Sequence, residues 1–219
     1  SSWEQGKEFS AFDMTQSIIL QVIFQGIFGV RDEGKREQFK TMVLDLLTSY
    51  TTSLAVLPFL RKELGGVGPW SKFLRSREAF DALLMEEIQA RRESGLEHRE
   101  DILSLLMSTQ YDDGTMLSDL ELTEEIRTLL VGGHDTSSNT LAWAFYFICS
   151  SAEIKSRIRE EIATLGPDFS ASQLTKLPYL SAVCNEALRI YPPVPFVLRR
   201  VVKPFSLRGV SLDPGDNIA

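Results

Sequence analysis

The chain has 219 residues, 43% of them hydrophobic and 24% charged, which suffices to bury the core of one large domain or part of one. Its formal charge of −7 gives no electrostatic reason for a nucleic-acid partner, and acidity of this order serves solubility. The two cysteines, Cys149 and Cys184, have neither a CxxC partner nor a nearby histidine pair. That argues against a zinc site and a disulfide scaffold, and it favours a reducing compartment.

The opening Ser1-Ser2-Trp3-Glu4 shows no basic region followed by an apolar one, so no signal peptide is visible. The lack of an initial Met marks a partial sequence. The longest apolar run, Ser17 to Val30, is interrupted by Gln21, Gln25 and Gly26 and reads as too short to span a bilayer. A cytoplasmic location is expected, with an anchor further upstream left open.

Helical spacing covers most of the chain. It predicts a helix from Phe12 to Phe28 ending near Gly29, and another over Lys35 to Val56 with Phe39, Val43, Leu46 and Leu47 on one face. Pro58 and the Gly65-Gly66-Val67-Gly68-Pro69 cluster break the pattern. Trp70 to Arg92 reads as a long amphipathic helix, and Arg91-Arg92-Glu93-Ser94-Gly95 as the charged surface loop that ends it. A short helix is expected over Asp101 to Met107, then a turn at Tyr111-Asp112-Asp113-Gly114.

Ser118-x-x-Glu121 has the form of a capping box and opens a long helix that runs to about Ser150. Ala152 to Leu165 is a further helix stopped by Gly166-Pro167. Pro178 fits the first turn of the next, which reaches Tyr191 before Pro192-Pro193. Beyond that the period changes. Val197 to Val202 and Phe205 to Leu212 are β-prone, with turns at Lys203-Pro204 and Pro214-Gly215-Asp216. The expected fold is mainly α with a minor β part, and no linker divides residues 1–219 into separate domains.

Two segments carry chemistry. Leu129-Leu130-Val131-Gly132-Gly133-His134-Asp135-Thr136-Ser137-Ser138-Asn139-Thr140 lies inside the long helix yet is a poor local choice for one. Each glycine costs roughly 1 kcal/mol relative to Ala, and the polar residues compete for backbone hydrogen bonds. A polar, weakened stretch between apolar helical flanks marks a functional site. Gly132 and Gly133 let a flat group approach the backbone. The Thr136 hydroxyl is one turn from the Gly132 carbonyl, and a bond between them would open the helix, with Asp135 beside it to relay protons. A strained helix with a buried polar patch explains the same five residues without chemistry.

The second segment is Asn185-Glu186-Ala187-Leu188-Arg189-Ile190-Tyr191-Pro192-Pro193. Glu186 and Arg189 share a helix face and pair. Glu33/Arg36 and Glu124/Arg127 have the same spacing and read as solvated pairs. Ala182, Val183, Ala187, Leu188 and Ile190 make the Glu186 surroundings apolar, so that pair is expected to be buried.

Together the two segments resemble the cytochrome P-450 family. Gly132-Gly133-His134-Asp135-Thr136 is similar to its (Ala/Gly)-Gly-x-(Asp/Glu)-Thr pattern, and Glu186-x-x-Arg189-x-x-Pro192-Pro193 to its ExxR helix, in the family's order. Segments from Asp101 to Leu106 and from Phe205 to Asp216 also look like family segments. The resemblance implies a haem-thiolate monooxygenase that inserts one oxygen atom from dioxygen into an apolar organic substrate. The cofactor would be haem b, and the electron donor a ferredoxin or a flavoprotein reductase.

It further implies that Thr136 hydrogen-bonds dioxygen, that Asp135 helps deliver the protons that cleave the O–O bond, and that Gly132 and Gly133 face the haem. Glu186 and Arg189 would support the core behind the cofactor. Arg199 or Arg200 would meet a propionate, Arg199 fitting the spacing slightly better. Thr128, Val131, Val194, Pro195 and Phe196 would line the substrate pocket.

His134 reads as a structural or pocket residue. Trp143, Phe145 and Phe147 read as core, as do both cysteines. The family's iron ligand is a cysteine in a Phe-x-x-Gly-x-x-x-Cys-x-Gly segment, and neither Cys149 nor Cys184 has those glycines. The chain is therefore expected to be the central part of a single domain and, by itself, inactive. A hydroperoxide rearrangement and a non-catalytic helical scaffold are the competing functions. The acid-threonine pair disfavours the first, and the missing ligand supports the second.

Overall fold

The structure is a computed structural model that describes residues 6–29, 33–51, 53–54, 57–63 and 65–218. The expectations for Ser1 to Glu4, Val30 and Val56 fall outside the described residues. The chain divides into two compact units, Asp13–Asp135 and a second made of Ser1–Phe12 with Thr136–Ala219.

In the first unit, α1 (Ala11–Ile23) continues directly as a π-helical turn, Phe24–Phe28, that ends at Gly29 in the left-handed region, φ 55°. A Cβ at residue 29 would stand 2.6 Å from Asp101 Oδ2, so only glycine both adopts this φ and fits against that carboxylate. By length and composition alone, Ala11–Phe28 could cross a membrane, which the broken apolar run of the sequence did not convey. A third of that stretch is buried inside the protein.

Next come α2 (Glu33–Ser49), α3 (Pro69–Ser94, with proline in the first turn) and α4 (Ile102–Met107). Helix α2 stops at Ser49, short of the expected end. It packs against α3, and the π-helical turn packs against α4. The core is built where their apolar faces meet. Phe28, Phe39, Val43, Phe80, Leu84 and Ile88 are all but inaccessible, and the Phe28 and Phe39 rings lie 4.8 Å apart between centroids. Each such side chain contributes about 1.5–3 kcal/mol by its burial.

The stretch expected as a charged loop is instead the end of α3. Helix α3 continues through Ser94, and Arg91 is the largest fully buried side chain among the described residues. Its Nε donates to Glu87 Oε1 at 2.8 Å, its Nη1 to Asp101 Oδ1 at 2.5 Å and Ser104 Oγ at 2.8 Å, and its Nη2 to the Phe28 carbonyl. Lys35 Nζ reaches the second Glu87 oxygen at 3.2 Å. Asp101 also caps α4 by accepting from Ser104 N at 3.0 Å. Two cations and two carboxylates thus neutralise one another, as buried charges must. Burial pushes the Glu87 carboxyl up, but the hydrogen bonds and charges of Arg91 and Lys35 more than reverse it. Its pKa lies below the ordinary carboxylate value.

The capping box before the long helix α5 (Asp119–Ser150) forms as expected. Ser118 N donates to Glu121 Oε2 at 2.8 Å, and Glu121 N to Ser118 Oγ at 3.3 Å. Arg127 does not act as the solvated partner of Glu124. It crosses to Asp81 of α3 at 2.5 Å, with both side chains largely covered. Burial outweighs this partner and holds the Asp81 carboxyl above its ordinary value.

In the second unit, α6 (Ala152–Ala163) packs against α8 (Pro178–Ile190). Glu161 of α6 accepts from the first free amides of α8, Tyr179 N at 2.7 Å and Leu180 N at 2.9 Å. A carboxylate there satisfies orphan donors and complements the helix dipole. The short α7 (Ala171–Leu174) was not read from the sequence, although its Ser170/Gln173 capping box is the signal for it. Trp143 of α5 stacks on Tyr191 at the end of α8, with centroids 3.7 Å apart and planes 3° from parallel.

The β part is two two-stranded antiparallel sheets. One pairs β1 (Arg199–Arg200) with β4 (Asn217–Ile218). The other pairs β2 (Phe205–Leu207) with β3 (Val210–Leu212). The stretch Phe205 to Leu212 is thus a hairpin rather than one strand. Arg208 and Gly209 both have positive φ, 51° and 83°, the two-residue geometry that matches strand twist.

Candidate functional site

The segment Gly132 to Thr136 keeps an unbroken α-helical backbone, so the expected opening of the helix at Gly132 is not seen. What α5 supplies is a division of faces. Leu122, Ile126, Leu130, His134 and Ser138 recur every four residues and are buried. With 3.6 residues per turn, Thr128, Gly132, Asp135 and Asn139 turn the opposite way, and all four are exposed. Val131, 45% exposed, and the half-buried Thr136 stand on the two flanks of that face. Thr128 Oγ1 donates to the Glu124 carbonyl at 2.8 Å, and Thr140 Oγ1 to the Thr136 carbonyl at 2.9 Å.

A Cβ placed on Gly132 or Gly133 would meet nothing within 4 Å. These glycines are therefore not required by packing among the residues around them. Open space over a glycine pair is what the close approach of a flat group needs. Asp135 is held from the buried side, its Oδ1 2.8 Å from His134 Nδ1. A carboxylate that is ionised only accepts, so such a bond calls for the ring tautomer with its proton on Nδ1. Sequence reasoning left His134 as a variable position. Its burial and its place as neighbour of the acid make it the partner that orients Asp135.

Glu186 and Arg189 meet as predicted, in a two-pronged pair with Nε–Oε2 and Nη2–Oε1 both 2.7 Å. The pair is not buried, its side chains being 54% and 69% exposed. The reason lies in the wheel of α8, which turns Val183 and Ala187 inward and places Glu186 and Arg189 on other faces. The Arg189 hydrogen bond holds the Glu186 carboxyl below its ordinary value.

After Pro193, residues Val194, Pro195, Phe196, Val197 and Leu198 are all exposed, an unbroken apolar run leading into β1. Arg199 is exposed at its end, with Nη1 on the Leu198 carbonyl at 3.0 Å. Arg200 pairs with Asn217 across the small sheet.

Neither cysteine is the core filler expected. Cys149 is exposed near the end of α5, and Cys184 is half-buried on α8 with its thiol pushed up by burial, which disfavours the thiolate. Among the described residues no three His, Cys, Asp or Glu side chains group to hold a metal. Trp143 and Phe147 are half-buried and join an aromatic cluster with Tyr146 and Tyr191. On α5 a glycine pair is open to approach and an acid and a hydroxyl follow it in sequence, which suits one face of a flat apolar cofactor. In the second unit an apolar strand entry ends in arginine.

Residues 3–219 match the family model described as Cytochrome P450. A Mycobacterium tuberculosis protein named "Putative cytochrome P450 137" is 30% identical over 218 residues, 99% of this chain and 44% of that protein. Cytochrome P450 monooxygenase sphH of Aspergillus fumigatus is 28% identical, over 97% of this chain and 38% of that protein. The solved structure of retinoic acid bound cyanobacterial CYP120A1 matches with a TM-score of 0.78 at 25% identity, covering 98% of this chain and 47% of that one. The crystal structure of the cytochrome P450DA heme domain matches with a TM-score of 0.81 at 19% identity, over the same shares, and so shows the fold. The chain spans about half the length of the relatives it matches.

Proposed function

The chain belongs to the cytochrome P450 family, and from that premise we propose that residues 1–219 are the central part of a single haem-binding domain whose whole protein is a haem-thiolate monooxygenase. Haem is the family's cofactor and dioxygen its co-substrate. The observation that carries the reading is on α5, where nothing packs over a Cβ at Gly132 or Gly133 and Asp135 and Thr136 follow within about one turn.

The haem, when bound through a cysteine thiolate, supplies the centre at which dioxygen is reduced. The chain's own residues then have distinct tasks. Gly132 and Gly133 admit the face of the macrocycle. The Thr136 hydroxyl donates a hydrogen bond on the oxygen side and passes a proton through its oxygen. Asp135, steadied by the buried His134 ring, exchanges that proton with solvent, which its 63% side-chain exposure permits.

By family resemblance, Thr128 and Val131 of the first unit, and Val194, Pro195 and Phe196 of the second, are each assigned to contact with an apolar organic substrate. Arg199 would meet a propionate, and the Glu186–Arg189 pair would brace α8 in support of the cofactor-binding core. Electrons come from a ferredoxin or a flavoprotein reductase, and the protein works in the cytoplasm.

The test is the reduced, carbon-monoxide-bound spectrum of haem-loaded protein. The whole protein gives a thiolate-type Soret band. The 219-residue chain does not, because Cys149 lies near the far end of α5 and the Cys184 thiol is held protonated. A whole protein without that band would overturn the assignment, and a thiolate band from the chain alone would overturn the exclusion of its cysteines.

A further inference from the structure

The unit Asp13–Asp135 has a second polar feature that the glycine-acid-threonine segment does not use. A cleft of about 1310 Å³ opens beside the π-helical turn, and Gln25, Lys35, Arg36, Glu87, His98 and Arg99 are among its walls. Small-molecule pockets are mostly apolar and about 300–1,000 Å³ in volume. This cleft is larger and chiefly polar, so it suits a charged occupant rather than an oily one.

Its charges sort into two groups. Glu87 and Asp101, 7% and 6% exposed, are already committed to Arg91, and Glu87 also to Lys35. The guanidinium groups of Arg36 and Arg99 have no hydrogen-bond or ion-pair partner among the described residues, and among the described lining residues Glu100 is the acid left to oppose them, so the unpaired charge of those residues is positive.

The cations also come from walls that are fixed in place. Arg36 follows the first turn of α2, which Lys35 ties to Glu87. Arg99 follows His98, whose φ of 64° is a left-handed conformation that non-glycine residues rarely hold. The turn is closed by Arg99 N on the Leu96 carbonyl at 3.2 Å. Behind both, Arg91 joins Phe28, Glu87 and Asp101, and Gly29 seats against Asp101. Guanidinium groups are suited to a planar or tetrahedral oxyanion, because two parallel N–H bonds match two of its oxygens.

We propose that this cleft binds a multivalent oxyanion, a phosphate ester or a polycarboxylate, between Arg36 and Arg99, with Gln25 and His98 as further donors. It is tested on the whole, haem-loaded protein by calorimetric titration at low salt with inorganic pyrophosphate and, separately, with citrate. At least one binds saturably at one per chain. The tighter of the two tells phosphate from carboxylate as the preferred group.

Arg36 and Arg99 are exposed, so the double substitution Arg36→Ala with Arg99→Ala spares the core and weakens binding at least about tenfold. Lys155→Ala on α6 leaves it unchanged. The ring-proton signals of His98, assigned by their loss in His98→Gln, give a second readout independent of the arginine variants. Saturating pyrophosphate or citrate shifts the ring-proton signals of His98 and leaves those of the buried His134 in place. Failure of both anions to bind, equal binding by the double variant, or a shift confined to His134 would overturn the proposal.

Discussion

Two of the arginine-carboxylate arrangements among the described residues share the same chemistry in opposite settings. Around Arg91, inside the unit Asp13–Asp135, the guanidinium and both carboxylates are buried, and Arg91 bonds to Glu87, Asp101, Ser104 and the Phe28 carbonyl. Around Arg189, in the second unit, an equally well-formed pair stands in solvent. Hydrogen-bond geometry alone therefore says little about what a pair does for stability. In water an ion pair gains little, because both charges were already solvated. In a core the pair itself is worth little more, but losing one member strands the other.

The comparison breaks most visibly at Arg91. Arg91→Ala leaves Glu87, Asp101 and the Phe28 carbonyl in the core without their donor, and it is expected to cost about 3–5 kcal/mol, a large part of a domain's stability. Urea unfolding of the chain measures this, and a loss under about 1 kcal/mol would show that water replaces the guanidinium freely. Ser118→Ala removes the hydroxyl that accepts from Glu121 N and should lower stability by about 1 kcal/mol, seen as a smaller urea midpoint with an unchanged slope.

Glu87 sharpens the same contrast through pH. Its folded pKa is held below the ordinary glutamate value of about 4.5, so the folded state binds its proton less readily than the unfolded chain. The stabilisation is present above that value and is lost as pH falls through the folded pKa. Asp81, raised by burial, works in the opposite direction, so the comparison must be between variants rather than of one curve. Glu87→Gln should be less stable at neutral pH and lose less on acidification than the parent, with parallel curves as the contrary result. At the small end, Glu186→Gln should leave the urea midpoint of this chain where it was, and a clear drop would show that the exposed pair carries load.

Much of this arrangement is written in local sequence. Gly29, Pro69, the Ser118/Glu121 box, Gly166-Pro167 and Pro178 mark helix ends because each acts on the backbone of its own turn. The grouping of Thr128, Gly132 and Asp135 on one face of α5 follows from helical period alone. Arg91 could not be read the same way. Its partners Phe28 and Asp101 lie 63 and 10 residues away, and Arg91-Arg92-Glu93 has the composition of a solvated loop. Arg127 misleads for the same reason, with Asp81 46 residues away preferred over Glu124 one turn before it. The π-helical turn keeps the apolar pattern of an α-helix, so its extra residue per turn leaves no trace in composition. The exposure of Glu186 went unread because apolar neighbours in sequence occupy other faces of α8.

The central claim is that Asp135 and Thr136 manage protons on the oxygen side of a haem. The most direct measurement is the ratio of product and peroxide to electrons consumed in the whole, haem-loaded protein carrying Thr136→Ala, set beside Thr136→Ser. The account predicts that the alanine variant still consumes electrons but diverts them to peroxide, while the serine variant, which keeps the hydroxyl, stays close to the parent. Equal coupling in all three would contradict it.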